Sequence, residues 1–287
     1  MKIDMHIHSN YSDGTDSPIK IIEQAKKIGL EVIAITDHNT YKGSMEAIRE
    51  NRSDIDIISG IEISASNKSL PKKARLHILG YNISFDNENL QKFVQEEYDN
   101  SRKTMLNYLY FLKKLYNISF PEEDTNEILS RKGDINRVDI AKLLIKYGYV
   151  ETIEEGFEKY LVSIYSLGTK PEKVSDEKAI SLIKEAGGIV SLAHPSSLKL
   201  DYQELKKYIL YLKEMGLESV ETEHIHIDNN LKKFLYGICD RYNLVYSGGS
   251  DFHGKNKPGV FLGKGGNDSK NFPIDIDDLS ILKLIKK

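Results

Sequence analysis

The chain has 287 residues, enough for one large domain or a domain with an insertion, and for an extensive core. Its 40 Lys and Arg stand against 43 Asp and Glu, a formal charge of -3 with both signs spread along the chain, which excludes a general basic surface for gripping duplex nucleic acid. No apolar run approaches the roughly 20 residues needed to cross a bilayer, and MKIDMHIHSN lacks the apolar stretch of a secretory signal, so a soluble cytoplasmic protein without membrane contact is expected.

From the amino terminus, short β-rich runs alternate with amphipathic helical runs: KIDMHI, a helix over 17–28, EVIAIT and a helix over 41–51. Such alternation predicts a parallel α/β sheet. DIDIISGIEIS and RLHILGYNI follow, and after a long gap GGIVSLAH, LESVETEH and LVYSGGSD, most of them preceded by a helical run. About seven such units predict a closed or nearly closed barrel rather than an open doubly wound sheet.

Between 99 and 170 no strand is evident, while Leu106, Leu109, Tyr110, Leu112 and Lys113 begin a helical periodicity. Pro121 and the acidic residues after it suit a helix start, and Gly148 suits a carboxy-terminal cap. The organisation expected is a barrel from 1–98 and 171–287, with 99–170 as a helical insertion that caps the barrel mouth. GKGGNDSKNFPIDIDD reads as a surface loop before a last strand or helix over 279–285. The lone Cys239 falls on the apolar stripe of Leu231, Phe234, Leu235, Ile238 and Tyr242, and is read as core.

The first run places Asp4, His6 and His8 on one strand face by period-two alternation. Asp13 follows in SDG, His38 ends the second run in TDH, Glu62 lies in GIEIS, and His77 lies in LHILGY. After the gap come His194 in LAHPSS, then Asp251 and His253 in GGSDFHG. In a barrel the carboxyl ends of the strands converge on one mouth. Six histidines and three carboxylates gathered there would each need a buried partner unless they share metal ions. The set mixes imidazole and carboxylate without thiolate, which suits manganese, iron(II), zinc or cobalt. Asp4 and Asp37, beside these residues, are read as orienting imidazole rings.

In order along the chain, DMHIHS, SDG, TDH, GIEIS, HILGY, AHP and SDFH resemble the motifs of the polymerase and histidinol phosphatase (PHP) superfamily. That resemblance implies a distorted seven-stranded, TIM-like (βα)7 barrel holding two to three divalent ions. It also implies a ligand set of His6, His8, Glu62 and Asp251 for one ion; Glu62, His77 and His194 for a second; and Asp13, His38 and His253 for a third. Glu62 would bridge the first two. Metal-activated hydroxide would then attack a phosphate ester, with Glu62, His194 and Asp251 as the catalytic residues and the general acid open among His194, Asp251 and a metal-bound water.

The helical insert between His77 and His194 resembles that of a nucleotide phosphatase subgroup, which acts on 3′,5′-nucleoside bisphosphates or short 5′-phosphorylated RNA. Arg137 matches an arginine of that subgroup, although Val138 and Asp139 replace its usual Pro and His. Arg137 and His224 are thus read as substrate-binding, and Lys170 as a surface lysine. A small phosphorylated substrate, a nucleotide or short oligonucleotide, is the partner implied, and the oligomeric state is open. The alternatives are a histidinol-phosphate phosphatase, a free-standing exonuclease, and a non-catalytic metal-binding regulatory module.

Overall fold

A computed structural model describes residues 2–167, 172–264, 274–275 and 279–285. The chain divides into two compact units, one made of Met1–Phe93 with Lys173–Lys287 and the other of Val94–Glu172. Lys170 lies outside the described residues, as does most of the loop expected before 279.

The first unit runs β1 (Lys2–Ile7), α1 (Pro18–Lys27), β2 (Val32–Ile35), α2 (Lys42–Glu50), β3 (Asp56–Ile58), β4 (Gly60–Ser66) and β5 (Leu76–Tyr81), after which α3 (Glu88–Tyr116) begins. Helices α4 (Glu122–Leu129), α5 (Arg137–Lys146), α6 (Ile153–Gly156) and α7 (Val162–Tyr165) belong to the second unit, with a π-helical turn at Phe157–Leu161. The first unit resumes with β6 (Val174–Ser175), α8 (Asp176–Glu185), β7 (Ile189–Leu192), α9 (Tyr202–Glu214), β8 (Ser219–Glu223), α10 (Asn229–Tyr242) and β9 (Val245–Gly248). A short β10 (Ile274–Asp275) and α11 (Leu282–Ile285) follow.

Local chemistry sets many of these boundaries. Ser17 accepts a hydrogen bond from Lys20 N and Pro18 occupies the first turn of α1, where a missing N–H costs nothing. Asp201 and Asn136 form capping boxes at α9 and α5. Along β2, Val32 and Ala34 join one apolar cluster with Ile3, Met5, Leu79 and Tyr81, while Ile33 and Ile35 join another with Ile21 and Ala25 of α1. The strand is therefore buried on both faces, as a helix-covered parallel strand must be. Cys239 packs in the core, where burial first and Asp240 second push its thiol up to about 12.

The described strands form two sheets rather than one continuous ring. One has the order β10-β1-β2-β3 and the other β6-β4-β5-β7-β8-β9. DIDIISGIEIS, read as a single run, breaks at Ser59 into β3 and β4, which lie in different sheets. A Cβ on Gly60 would come within 2.8 Å of Ile35 O, so glycine permits the close passage at this break. Nor is the sheet parallel throughout, because β5 pairs antiparallel with both β4 and β7. The reason is the connection: β4 and β5 are joined by 67–75 without a crossover helix, and a parallel pair needs such a crossover. Isolated bridges, Ile7 to Phe252 and His38 to Glu62, link the two sheets.

The second unit has its own core, in which Met105, Tyr108 and Leu112 of α3 meet Ile140 and Leu144 of α5 and Leu161 and Ile164. Gly148 closes α5 at a φ of 74°, as expected of a left-handed cap. Among the described residues, no helix is long and apolar enough to cross a membrane.

Asp4 fastens the first strand to the segment after β9. Its carboxylate accepts from Ser250 N at 2.9 Å, Ser250 Oγ at 2.5 Å, Gly263 N at 2.8 Å and His6 N at 3.2 Å. Burial raises its pKa to about 6 against the pull of these donors. Replacing it by alanine strands several buried donors at roughly 1–3 kcal/mol each. Asp4→Ala is expected to lower the stability measured by urea unfolding by about 3 kcal/mol, and an unchanged midpoint would show that the segment is held by other contacts.

Candidate metal centre

All nine side chains singled out by the sequence come together, most of them at or just past the carboxyl ends of strands, whereas Glu62 lies within β4 and His77 near the amino end of the antiparallel β5. β1 carries His6 and leads into His8, β4 carries Glu62 and β5 carries His77. Asp13, His38, His194, Asp251 and His253 stand in the segments that follow β1, β2, β7 and β9. At the centre is Glu62, fully buried. Its Oε2 lies 3.4 Å from His6 Nε2, 3.2 Å from His8 Nε2 and 3.0 Å from His38 Nδ1, while its Oε1 lies 3.1 Å from His77 Nδ1 and 3.0 Å from His194 Nε2.

Two further carboxylates complete the set. Asp251 Oδ1 is 3.7 Å from His6 Nε2, 3.4 Å from His8 Nε2 and 3.4 Å from His253 Nδ1. Asp13 Oδ1 is 3.2 Å from His253 Nε2, and its Oδ2 is 3.9 Å from His38 Nε2. The donor atoms fall into three groups: His6, His8 and Asp251; His38, Glu62 and His77; and His8, Asp13, His38 and His253. His38 thus stands between two of the positions that the family resemblance separates, with its Nδ1 nearer to Glu62 than its Nε2 is to Asp13.

Tautomer bookkeeping tests whether cations fit. The outer nitrogens of four rings already face protein acceptors: His6 Nδ1 meets Glu221 Oε1 at 3.0 Å, His8 Nδ1 meets Ser12 Oγ at 3.4 Å, His194 Nδ1 meets Ser197 Oγ at 2.8 Å, and His253 Nδ1 meets Asp251 O at 2.8 Å. Ser12 and Ser197 give their own protons to Asp37 and to Arg75 O, so each must accept from its histidine. In the neutral rings every inner Nε2 is then a lone pair, and lone pairs aimed at carboxylate oxygens repel unless positive charge lies between them. Among the described residues, Glu62 Oε2, Asp13 Oδ1 and His38 Nδ1 are buried without a hydrogen-bond partner. The nine residues fit divalent cations on both counts, and the nitrogen and oxygen donors suit borderline metals.

The electrostatics point the same way. Burial works against the imidazolium of His8, but Asp251 and Glu62 overcome it and lift the pKa to about 10. His6 and His38 are raised too: burial opposes the charged ring most, but the carboxylates together overcome it, Glu62 with Glu221 and Asp251 at His6 and Glu62 with Asp13 at His38. Burial favours the neutral carboxyl of Glu62, yet His38, His6 and His77 hold it well below the usual range. Likewise Asp13 and Asp251 are pulled down against their burial by facing imidazoles. His77 goes the other way, to about 3, because burial dominates there.

Two ligand positions have unusual backbone. His194 has φ 26° and Asp251 φ 56°, in a region costly for residues with a Cβ. Glu221 holds the first in place, accepting His194 N on Oε2 at 2.6 Å while its Oε1 takes His6 Nδ1. Sequence reasoning missed Glu221. It lies in SVETE where the register shifts before Glu223, which separates it from that glutamate; Glu223 meets Tyr236 and Lys232 of α10. No spacing motif accompanies Glu221.

Two expectations change. Asp4 binds backbone N–H groups and Ser250, not an imidazole. Asp37 holds Ser9 N at 2.7 Å, Ser9 Oγ at 2.6 Å and Ser12 Oγ at 2.7 Å, and reaches His8 only through Ser12. Both carboxylates are acceptors sunk among backbone and hydroxyl donors, and neither hydrogen-bonds a ring directly. His224, read as substrate-binding, is 1% exposed. Its Nδ1 accepts His226 N at 3.1 Å, which leaves Nε2 as the donor to Asp251 Oδ2 at 3.3 Å. In this geometry the ring of His224 is turned toward Asp251.

Arg137 lies in the second unit at the start of α5, its guanidinium over the rings of Tyr165 at 4.5 Å and Phe157 at 5.2 Å. Asp139 closes the capping box of that helix and pairs with Arg131 Nη1 at 2.6 Å, a structural use for the residue that departs from the subgroup's pattern.

Glu62→Gln removes the charge that offsets cation repulsion while keeping the side chain's shape. Metal analysis of the folded variant is expected to give fewer divalent ions per chain than the parent, with hydrolysis falling in parallel. Parent-like occupancy would contradict a bridging position.

The sequence model of the PHP domain matches residues 4–168. The chain is 28% identical over 253 residues to a 5′-3′ exoribonuclease of Haemophilus influenzae, covering 88% of this chain and 90% of that protein. It is 28% identical over 260 residues to a phosphoribosyl 1,2-cyclic phosphate 1,2-diphosphodiesterase of Eggerthella lenta, covering 88% and 94%. With a 3′,5′-nucleoside bisphosphate phosphatase of Chromobacterium violaceum the identity is 27% over 266 residues, covering 91% and 90%. A solved structure from Bifidobacterium adolescentis, assigned as a metal-dependent phosphoesterase, superposes with a TM-score of 0.77 at 26% identity, over 99% of this chain and 94% of that one. With the family model covering more than half its length, the chain belongs to the PHP domain family, as a metal-dependent hydrolase of phosphoric esters.

Proposed function

We propose that the chain hydrolyses a phosphate ester of a nucleotide, either the 3′-phosphate monoester of a 3′,5′-nucleoside bisphosphate or the ester bond that joins the terminal nucleotide of a short 5′-phosphorylated RNA to the next. The observation that carries this reading is the ring of imidazole lone pairs and carboxylates around Glu62, a site built for positive charge where an anionic ester could bind. Full-length similarity to an exoribonuclease and a bisphosphate phosphatase supports the nucleotide class.

Two to three divalent ions, manganese, iron(II) or zinc, would be held by His6, His8, Asp13, His38, Glu62, His77, His194, Asp251 and His253. Such ions supply Lewis-acid polarisation of the phosphoryl group and of the attacking water. The chain's own residues do the rest. Glu221 and Ser197 fix the ring of His194, Glu221 fixes that of His6, and His224 fixes Asp251, so the donors are aimed before substrate arrives.

The test is hydrolysis with added manganese. It is read as phosphate release from adenosine 3′,5′-bisphosphate, histidinol phosphate and an aryl phosphate, and by chromatography as the nucleotides freed from a 5′-phosphorylated RNA oligomer and the opened ring of a cyclic phosphodiester. The substrates that decide are adenosine 3′,5′-bisphosphate and the RNA, which are expected to give the highest kcat/KM. A tenfold preference for histidinol phosphate would replace this reading with the amino-alcohol phosphatase, and a preference for the cyclic ester would point to a diesterase.

Arg137 is proposed to bind the phosphate that is not hydrolysed. Arg137→Ala should then lower kcat/KM for the bisphosphate by roughly one to two decades, the worth of a charged hydrogen bond, and barely alter the aryl phosphate, which lacks that group. Equal losses on both substrates would assign Arg137 to folding of its own unit, where it stacks on Tyr165 and Phe157.

A further inference from the structure

Asp251 divides its oxygens between two neighbourhoods. Oδ1 faces the imidazoles of His6, His8 and His253, whereas Oδ2 accepts from His224 Nε2 and from the ammonium of Lys257. Lys257 therefore pairs with the oxygen that those three rings do not use. A cation taken up on Oδ1 would leave the pair intact.

The backbone before Lys257 is stapled to the loop that carries Asp13. Thr15 N donates to His253 O at 3.2 Å, Lys255 N donates to Thr15 Oγ1 at 2.9 Å, and Asn256 Nδ2 donates to Asp13 O at 2.6 Å. Gly254, at φ 62°, lets the turn pass against Thr15, where a Cβ would collide. The turn that positions Lys257 is thus held by the same segments that position three candidate ligands, Asp13, Asp251 and His253. Its side chain is 28% exposed, so solvent, and hence a ligand, can reach it. An ammonium has more N–H donors than one carboxylate oxygen can use, and a second anion is the natural taker for the others.

We propose that Lys257 is a substrate-binding residue, its ammonium contacting an oxygen of the phosphate bound at the metal centre while Asp251 Oδ2 keeps it aimed. The inference rests on the phosphoester reading above and adds a residue to it. Lys257 acts as a fixed point charge, holding the anion next to the cluster before and during hydrolysis; it transfers no proton.

The test uses the full chain loaded with manganese, inorganic phosphate as the probe, calorimetric titration for affinity and elemental analysis for metal content. Lys257→Met is expected to weaken phosphate binding, and to raise KM for a phosphomonoester, by about ten- to a hundredfold, with kcat changed less and with metal content and melting temperature as in the parent. Lys257→Arg should recover most of the affinity. Lys255→Met, on the exposed side of the same turn, should bind phosphate like the parent. Parent-like phosphate affinity in Lys257→Met would overturn the proposal. So would a loss that tracks lost metal, which would make Lys257 a prop for Asp251, or a metal-loaded parent that binds no phosphate. A parent that binds phosphate but turns over no nucleotide would sink the proposed function alone, since the titration still decides Lys257.

Discussion

Glu62 is a carboxylate sunk out of solvent in the middle of a strand, and everything around it answers that burial. A bare buried ion costs several kcal/mol unless partners surround it, and here the partners are imidazoles delivered by four other segments of chain. The junction of the two sheets lies at the same residue, since Asn39 N donates to Glu62 O at 2.8 Å and Glu62 N donates to Asp37 O at 3.1 Å. One of the two bridges between the sheets and the centre of the site thus share a residue. A chain that failed to bring His38 to Glu62 would lose both the bridge and the partner.

Precision at this centre is bought with backbone strain. Asn39, His194 and Asp251 all have positive φ, a conformation that costs a non-glycine residue about 1–3 kcal/mol and persists only where the surroundings over-determine it. Each has its restraint. Asn39 Oδ1 accepts Ser64 N at 2.9 Å, Glu221 takes His194 N, and Asp251 N donates to His6 O at 2.8 Å while Asp4 holds the preceding Ser250. The buried acids beside the site thus fall into two kinds. Asp13, Glu62 and Asp251 face ring nitrogens that have lone pairs to share, whereas Asp4 and Asp37 accept from N–H and O–H donors and fix the loops. Glu221 does both, fixing a ring and a strained peptide together.

This division explains what the sequence could and could not disclose. The nine facing residues were legible because each sits at or just past a β-rich run, and the alternation of Asp4, His6 and His8 needs no tertiary knowledge. Helix starts at Ser17 and Pro121 and the left-handed cap at Gly148 were legible for the same reason, being local chemistry. The break at Ser59 was not, because a sheet switch inside one continuous apolar run leaves no turn residues beyond Gly60. The antiparallel course of β5 was hidden as well, since hydrophobic pattern reports burial and not strand direction. Asp4 and Asp37 were found but misassigned: proximity in sequence to a histidine does not tell whether a carboxylate meets the ring or the backbone. Glu221 and Lys257 carry no motif, and their work depends on contacts spanning 215 residues in one case and a clamped turn in the other.

Protons and divalent cations compete for the same lone pairs here, and the competition has a direction. The carboxylates of Glu62, Asp13 and Asp251 are held ionised below the usual range by the imidazoles, and the imidazoles of His6, His8 and His38 are in turn raised by the carboxylates. For the raised histidines, proton binding favours the fold below their unfolded pKa, and that contribution is lost as pH climbs through the folded value, about 10 for His8. For the lowered carboxylates the contribution is present above their unfolded pKa and lost only in strong acid. A cation entering near neutral pH must therefore displace protons from His8 and its neighbours, so its affinity rises with pH. His77 stands apart: with its ring held neutral down to about 3, it offers Glu62's neighbourhood a nitrogen that needs no deprotonation at all. Around the one carboxylate of Glu62 the arrangement thus sets a proton-free ring, His77, on Oε1 and the proton-holding rings of His6, His8 and His38 on Oε2.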